Sequence, residues 1–402
     1  MSWKRTSSMD EKVKFIGDCL LGEEPMAVLC ARYEISRQTG YKLKRRYLAQ
    51  GAEGLLERSR APRGHGRATP DDVVQQILAL RRAKPHWGPK KLLARLGRLD
   101  PALALPSHAT VSNILHREGL IVPRRARQRR LTVDQPFAAV EVANDAWCID
   151  FKGWFATRDA VRCDPFTVTD AFSRFVLGVE IMEPKTLPVQ AHMDALFKEH
   201  GLPVAIRSDN GAPFASTGAG GLSQLSVRWA KMGIRLERIW PGRPQQNGRH
   251  ERMHRTLKDD ACQSPGADAA DQQRMFDAFR HEFNLERPHE AIGQRLPADL
   301  YEPSPRPFAE PKDDPDYGED EVRRVRSSGE IKWNGTMLYV SDALVGEAVG
   351  ITKCDNGDHL IRFAQVRLGL IERTTGKLLR FGPGRPPRAK AKPQINQNVS
   401  AM

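Results

Sequence analysis

The sequence contains no apolar run approaching the ~20 residues of a membrane-spanning helix, and its opening, MSWKRTSSMDEK, has no apolar centre of the kind a secretory signal carries. These two lacks predict a soluble, cytoplasmic protein with no membrane partner. The six cysteines (Cys19, Cys30, Cys148, Cys163, Cys262 and Cys354) stand far apart with no C-x-x-C pair, which argues against a zinc ribbon and a disulfide framework. They are read as reduced, structural thiols. Acidic charge is scarce only at one end. Residues 1–135 hold 27 Lys and Arg against 13 Asp and Glu, which is the whole of the net +14; beyond them the two signs balance at 36 each. A basic region of this kind fits a polyphosphate partner, because each cation that neutralises a phosphate releases condensed counterions. A solvated basic surface is the simpler alternative.

What is present divides the 402 residues into several domains. In 1–62, DEKVKFIGDCLL, MAVLCARYEI and RQTGYKLKRRYLAQG each place apolar residues at helical spacing, with Ser36 as N-cap of the third. The short turn before that third helix fits a helix-turn-helix unit offering Arg37, Gln38, Thr39, Tyr41, Lys42, Arg45 and Arg46 to DNA. A second such unit is read at 67–122, where Ser107 caps SHATVSNILHREGL and Lys90, Lys91, Ser107 and His108 are the candidate DNA contacts. A basic linker, 123–137, follows; its Arg124, Arg125, Arg127, Arg129 and Arg130 suit a phosphate backbone. From 138 to 302 the short Val-, Ile- and Phe-rich runs AWCIDFKGWFA, PFTVTDAFSRFVLGVEI and VAIRSDNG read as three strands followed by alternating helix and strand, an α/β layer with a mixed sheet. A Pro- and acid-rich linker is expected at 303–320, a small all-β, barrel-like domain at 321–381 with NG, DNGD and TTGK as its hairpin turns, and a disordered basic tail at 382–402.

Three acids stand where folding alone would not put them. Asp150 lies inside the apolar strand WCIDFKG, against both β-propensity and desolvation. Asp209 ends the strand VAIRSDNG, at the carboxyl edge where α/β sheets hold ligands. Glu251 is the single carboxylate among Arg249, His250, Arg252, His254, Arg255 and Lys258. Hard divalent cations take such carboxylate oxygens, and two of them ~3.5–4 Å apart serve an in-line displacement at phosphorus. Each acid also has an ordinary reading: a turn residue at Asp209, an ion pair of Asp150 with Lys152 or Arg174, and an i,i+4 pair of Glu251 with Arg255.

Together WCIDFKG, TVTDAFSRFVLG, RSDNGAPF, WPGRPQQNGRHERMHRTLK and FNLERPHEAIGQRLPADLY resemble the integrase-core DDE transposases of bacterial insertion sequences, above all the insertion sequence 481 family, which is related to the insertion sequence 3 family and, more distantly, to retroviral integrases. The resemblance covers 136–302, and ARYEISRQTGYKLKRRY and HWGPKKLLARL extend it into the helix-turn-helix region. It implies an RNase H-like fold in which Asp150, Asp209 and Glu251 are the catalytic triad and ligands of two Mg²⁺ (or Mn²⁺) ions per site. It also implies that Arg249, Arg252, His254, Arg255 and Lys258 reach DNA phosphates beside the metal. Asn210 and Gly211 shape the turn at Asp209; Asn247, Gly248, Arg287 and His289 support the Glu251 helix; Asp170 is structural or orients Arg174. The 42 positions from Asp209 to Glu251 exceed the retroviral spacing, and the retroviral His-His-Cys-Cys zinc module has no counterpart.

The function so implied is that of a transposase, cytoplasmic and nucleoid-associated in a bacterium, that binds the terminal inverted repeats of its element, cleaves DNA and joins the 3′-OH to target DNA. Its partners would be double-stranded DNA and further copies of itself, a dimer or higher assembly on paired ends, with no organic cofactor. Two alternatives stand beside it: a DNA-binding regulator with an inactive integrase-like core, and a nuclease of the same fold that cuts without joining.

Overall fold

The computed structural model describes residues 7–57, 68–121, 140–240, 247–311 and 313–382. The arginines of the basic linker, Arg124, Arg125, Arg127, Arg129 and Arg130, the WPGRPQQ motif apart from Trp240, and the basic tail beyond 382 lie outside the described residues. The chain forms two compact units, 1–69 and 70–402.

The first unit holds α1 (Ser8–Leu21), α2 (Met26–Arg32) and α3 (Arg37–Gln50). Ser7 and Asp10 close a capping box on α1, and Ser36 accepts the Thr39 N–H at the start of α3, satisfying amides that have no partner inside a helix. Phe15, Ile16, Leu29, Cys30, Leu43 and Leu55 form its core. Gly40 lets α3 close on α2: a Cβ there would lie 2.5 Å from the Cys30 sulfur.

The second unit begins with α4 (Asp71–Ala83), α5 (Pro89–Leu99) and α6 (His108–Arg117), built on Ile77, Trp87, Leu92 and Val111. Ser107 accepts the Thr110 N–H and caps α6 as the sequence suggests. The basic face of this region turns inward. Lys84 pairs with Glu282 at 2.6 Å, Lys90 with Glu290 at 2.7 Å, Arg95 with Glu286 at 3.3 Å, and Arg98 forks onto Asp299 at 2.6 and 2.7 Å.

The central layer is a mixed sheet in the order β5-β4-β1-β6-β7. Its strands are β1 (Trp147–Phe151), β4 (Pro165–Asp170), β5 (Val176–Ile181), β6 (Ala205–Ser208) and β7 (Arg235–Arg238), while β2 (Phe155–Ala156) and β3 (Arg162–Cys163) make a separate small hairpin. Strands β4 and β5 pair antiparallel, so the single run read from PFTVTDAFSRFVLGVEI is two strands. Asp170 breaks it: its carboxylate accepts the amides of Asn144 and Ser173 and the Ser173 hydroxyl, tying the connection into a tight turn. The polar strand β7, RLER, has too little apolar content to be read as a strand, yet Glu237 is buried in a salt bridge with Arg207 of β6 at 2.8 Å.

Helices α7 (Thr186–His200) and α8 (Gln224–Lys231) cover one sheet face, where Trp147, Ile149, Phe166 and Val168 meet Val189, Met193, Phe197 and Trp229. Helices α9 (Gly248–Ala261) and α10 (Ala269–Leu285) cover the other, where Val176 and Val179 meet Met253, Leu257, Phe276 and Phe283. This is the RNase H-like arrangement. No helix among the described residues is long and apolar enough to cross a membrane.

The segment read as a linker is strapped to the core instead: Ser304 N–H donates to His200, Leu202 N–H to Arg306, and Phe308 packs against the main cluster. After it comes a five-stranded antiparallel sheet in the order β14-β13-β12-β11-β8 with a β9-β10 hairpin beside it. Its strands are β8 (Glu321–Arg324), β9 (Glu330–Trp333), β10 (Thr336–Tyr339), β11 (Ala348–Lys353), β12 (His359–Phe363), β13 (Val366–Ile371) and β14 (Leu378–Arg380). NG, DNGD and TTGK fall at the turns, with Asn334 and Gly335 both at positive φ, 45° and 81°. This domain shares its core with the integrase layer, since Ala219, Leu222, Val227 and Ala230 pack among its strands.

Candidate active site

Alternation along β1 sends Trp147 and Ile149 into the apolar core and leaves Asp150 on the face beneath α9. Strands β1 and β6 run parallel with Cys148 beside Arg207. Asp150 and Asp209 each lie two residues further along, so both emerge side by side at the same carboxyl edge. Glu251 sits in the first turn of α9 and is exposed, as are Arg255 and Lys258 one and two turns later. The Asp150 carboxyl is pushed up to about 7, chiefly by burial, with the charges of Asp209 and, less strongly, Glu251 adding to it.

The backbone around Asp209 is tightly specified. Its carboxylate accepts the Gly211 N–H at 3.1 Å, and the Asn210 side chain donates to the Ile239 carbonyl at 2.6 Å, fastening the turn to the end of β7. A Cβ on Gly211 would come within 3.0 Å of the Asp209 carboxylate. Arg238, half-buried close by, donates to the Phe214 carbonyl; loss of surrounding water lowers its guanidinium to about 10, and Asp209 opposes that shift. Sequence reading did not single it out.

Two imidazoles that the sequence places on the same helix also belong to this site. His250 and His254, with Asp150, bring three possible metal-ligating atoms within 4.8 Å of one another. Thr167 organises them. Its hydroxyl donates to the Asp150 carbonyl at 3.0 Å and lies 2.8 Å from His250 Nε2 and 2.7 Å from His254 Nε2. Assigning the single hydroxyl proton to Asp150 puts protons on both Nε2 atoms, and His250 Nδ1 then accepts from Thr169 at 2.9 Å. Both rings are held neutral: His250 falls well below its ordinary range through burial and then the nearby His254, and His254 falls to about 4 through burial and then Lys152. The signal for Thr167 and Thr169 was present in the alternation of TVTD, which puts both on the Asp150 face, and for the histidines in their i,i+4 spacing.

The predicted DNA-contact residues separate into groups. Arg37, Gln38, Thr39, Tyr41, Lys42 and Arg45 are exposed on α3 and early enough to meet a groove, whereas Arg46 is half-buried and donates to the Leu56 carbonyl at 2.6 Å. His108 is exposed at the start of α6. Lys90 is held by Glu290 and Lys91 is half-buried, both through the docking of α5 on the core. His254 requires correction as a phosphate contact, because its Nε2 is bound to Thr167 beneath the helix. Arg249 and Arg252 fall on a different side of α9 from Glu251, with Arg249 donating to the Ala171 carbonyl at 3.3 Å and Arg252 to the Gly248 carbonyl at 3.1 Å.

Of the supporting residues, Asn247 is the buried residue preceding α9, with no side-chain cap bond, and Gly248 opens the helix. Arg287 pairs with Asp260 of α9 at 2.7 Å, and His289 packs on Phe283 with ring centres 4.4 Å apart. Burial first, then Lys91 and Arg287, bring His289 down to about 3. Asn284 accepts from and donates to the Val176 backbone, joining α10 to β5. The Asp170 carboxylate is structural in the manner already described, and the Arg174 side chain goes instead to the Ala171 carbonyl.

Comparison with known proteins agrees with this architecture. Two integrase core domain models match residues 141–244 and 232–297. A helix-turn-helix domain model matches 11–63, and a homeodomain-like domain model matches 39–115, running from α3 to α6. The chain is 24% identical over 244 residues to the insertion element IS407 uncharacterized 31.7 kDa protein of Burkholderia multivorans, covering 59% of this chain and 84% of that one. Among solved structures it is similar to the HTLV-2 integrase catalytic core domain in complex with magnesium, at 15% identity and TM-score 0.32, over 40% of this chain and 98% of that one. It is also similar to the simian T-cell lymphotropic virus intasome in complex with PP2A regulatory subunit B56 gamma, at 15% identity and TM-score 0.36, over 72% and 97%. The chain thus carries an integrase core domain with helix-turn-helix domains ahead of it, a transposase-like organisation.

Proposed function

We propose that this chain is a DDE transposase. It binds the ends of its own element through the helix-turn-helix units, cleaves one strand to expose a 3′-OH, and joins that 3′-OH to target DNA. The observation that carries the reading is the register of β1 and β6, which brings Asp150 and Asp209 out together at one edge with α9 packed against β1.

The donor set fits two Mg²⁺ or Mn²⁺ ions. Burial at this edge, with the charges of Asp209 and Glu251 added to it, raises the proton affinity of the Asp150 carboxyl, a cost that a hard divalent cation relieves. When bound, such ions supply Lewis acidity and an activated water for displacement at phosphorus. The chain's own residues set the stage. Thr167 and the two neutral histidines hold the end of β1, and the Asn210 and Gly211 bonds aim Asp209. Arg255 and Lys258, further along the Glu251 side of α9, are placed to hold phosphates of the strand being cut. In cleavage, water attacks phosphorus and the 3′ oxygen leaves as the 3′-OH. In joining, that 3′-OH attacks a target phosphate and displaces the target's own 3′ oxygen. One site serves both because only the nucleophile changes.

The test incubates purified protein and Glu251→Gln with Mg²⁺ and a labelled duplex carrying the element's ends, scoring binding, cleavage and joining separately. Cutting and joining by the wild type, with binding alone by the variant, is the expected result. Cleavage without joined product would point to a nuclease. Binding without cleavage by either protein would leave a DNA-binding regulator.

A further inference from the structure

Behind α9 is a cavity of about 330 Å³ that shares only Arg255 with the chemistry above. Against the ~30 Å³ of one water it has room for an anion of several charged groups. Helix α9 lines it with Arg249, Arg252, Met253 and Thr256, a sector of about 100° on the helical wheel, and with Arg255 about 60° beyond that sector on the Glu251 side. Glu251 and Lys258 point roughly 160° away from the centre of that sector. The remaining walls come from Cys148 and Thr169 of the sheet, the β4–β5 turn, the segment after α10, and α5.

Six cations line this space (Lys91, Arg174, Arg249, Arg252, Arg255 and Arg287), against two carboxylates, Asp170 and Glu290. Both acids are already engaged: Asp170 by Asn144 and Ser173, Glu290 by Lys90. Arg287 is only 6% exposed; Asp260 takes one arm of its guanidinium, while its Nε is buried without a partner. No carboxylate lies within ion-pair distance of Lys91 among the described residues, and burial and then the charge of Arg287 lower it to about 8. Arg174 adopts a left-handed backbone, φ 70°, and burial followed by Arg249 brings it to about 10. A strained residue and mutually repelling, partly desolvated cations all cost stability in the empty cavity. A multiply charged anion offsets those costs, and five guanidinium forks match phosphate oxygens in pairs.

We propose that the cavity between α5, α9 and the segment after α10 is a binding site for a phosphate-rich polyanion, separate from the Glu251 side of the helix. Its source is either a stretch of DNA backbone or a free polyphosphate. Because Lys91 comes from α5, an occupant would also clamp that helix to the integrase layer.

The experiment titrates inorganic tripolyphosphate into the full chain by calorimetry at low salt without divalent ions, so its outcome does not depend on whether the protein cuts DNA. Wild type should bind saturably in the micromolar range. Lys91→Met with Arg174→Gln should lose at least tenfold, and Lys332→Gln, exposed on β9 of the C-terminal sheet and outside the cavity lining, should bind as wild type does. If the double variant does not fold, as judged by circular dichroism, Arg249→Gln carries the test with an expected loss of threefold or more. Displacement of bound tripolyphosphate by a 30-base-pair duplex would identify the occupant as DNA backbone; persistence under saturating duplex would identify a free polyphosphate. No saturable binding up to 1 mM, or equal binding by wild type and the cavity variants, would overturn the proposal.

Discussion

Along α9 the side with Glu251, Arg255 and Lys258 opens to solvent, whereas the neighbouring side with His250, Leu257 and Ala261 is buried against the sheet and carries half-buried His254 with it. Both sides come from one short stretch of mixed acid, imidazole and cation. Helical angle assigns their work. Groups facing water are open to the metal and phosphate proposed above. The imidazoles facing the sheet are stripped of water, stay neutral and give their ring nitrogens to Thr167 and Thr169. A histidine beside Asp150, the acid proposed as catalytic, is here a positioning group for the strand that bears it.

Substitutions on the two sides should therefore fail in opposite ways. Glu251→Gln is expected to lower cleavage by ~10³-fold, equivalent to ~4 kcal/mol of transition-state stabilisation, while shifting stability by no more than ~0.5 kcal/mol because the residue is exposed. A melting temperature that fell along with activity would erase the distinction. His250→Ala should show the reverse pattern. It removes the bonds to both threonines and opens a cavity, and denaturant unfolding should register a loss of ~3 kcal/mol.

Asp150 sharpens the comparison through pH. Its folded value, about 7, lies above that of an unfolded aspartate, so the folded chain keeps a proton that the unfolded chain releases. That contribution is intact below the unfolded value and is lost as pH rises toward 7. Asp150→Asn abolishes this dependence. In metal-free buffer its stability relative to wild type should climb between pH 4 and pH 8 by ~2 kcal/mol, a discount on the ~4 kcal/mol of a fully buried group. A gap that stays constant with pH would contradict the raised carboxyl. Lys258→Gln should have the mildest effect: duplex binding a few-fold weaker, and a slope of log affinity against log salt reduced by about one.

The two helix-turn-helix regions carry a related lesson about reading charge from composition. The basic excess of the first third suggested a DNA surface throughout. On α3 the candidate contacts other than Arg46 are exposed, whereas Lys84, Lys90, Arg95 and Arg98 face acids between 282 and 299. Those acids are some 200 positions away in sequence, and no local pattern announces the pairing.

Much of the fold was legible because it rests on local physics. Ser36 and Ser107 cap helices where their spacing from apolar residues says they should, since unsatisfied amides at a helix start need an oxygen. The NG, DNGD and TTGK turns fall between antiparallel strands because those residues accept left-handed backbone. Asp150 stood out because strand propensity and desolvation disfavour it, Asp209 because it ends a strand at the carboxyl edge, and Glu251 because it is the single carboxylate among cations and imidazoles. Other features were set only when distant segments met. β7 is a strand because Glu237 finds Arg207, not because RLER is apolar. The segment 303–311 is a strap rather than a linker because Ser304, Arg306 and Phe308 find partners a hundred residues earlier. His254 turns from a prospective phosphate contact into a neutral support for Asp150 because β4 delivers Thr167 beneath it. Sequence by itself determined the capped helices, the hairpin turns and the half-buried position of Asp150, since these follow from backbone bonding and burial within a few residues. Tertiary structure decided which charges stay in water, because desolvation depends on what the rest of the chain brings to the other side.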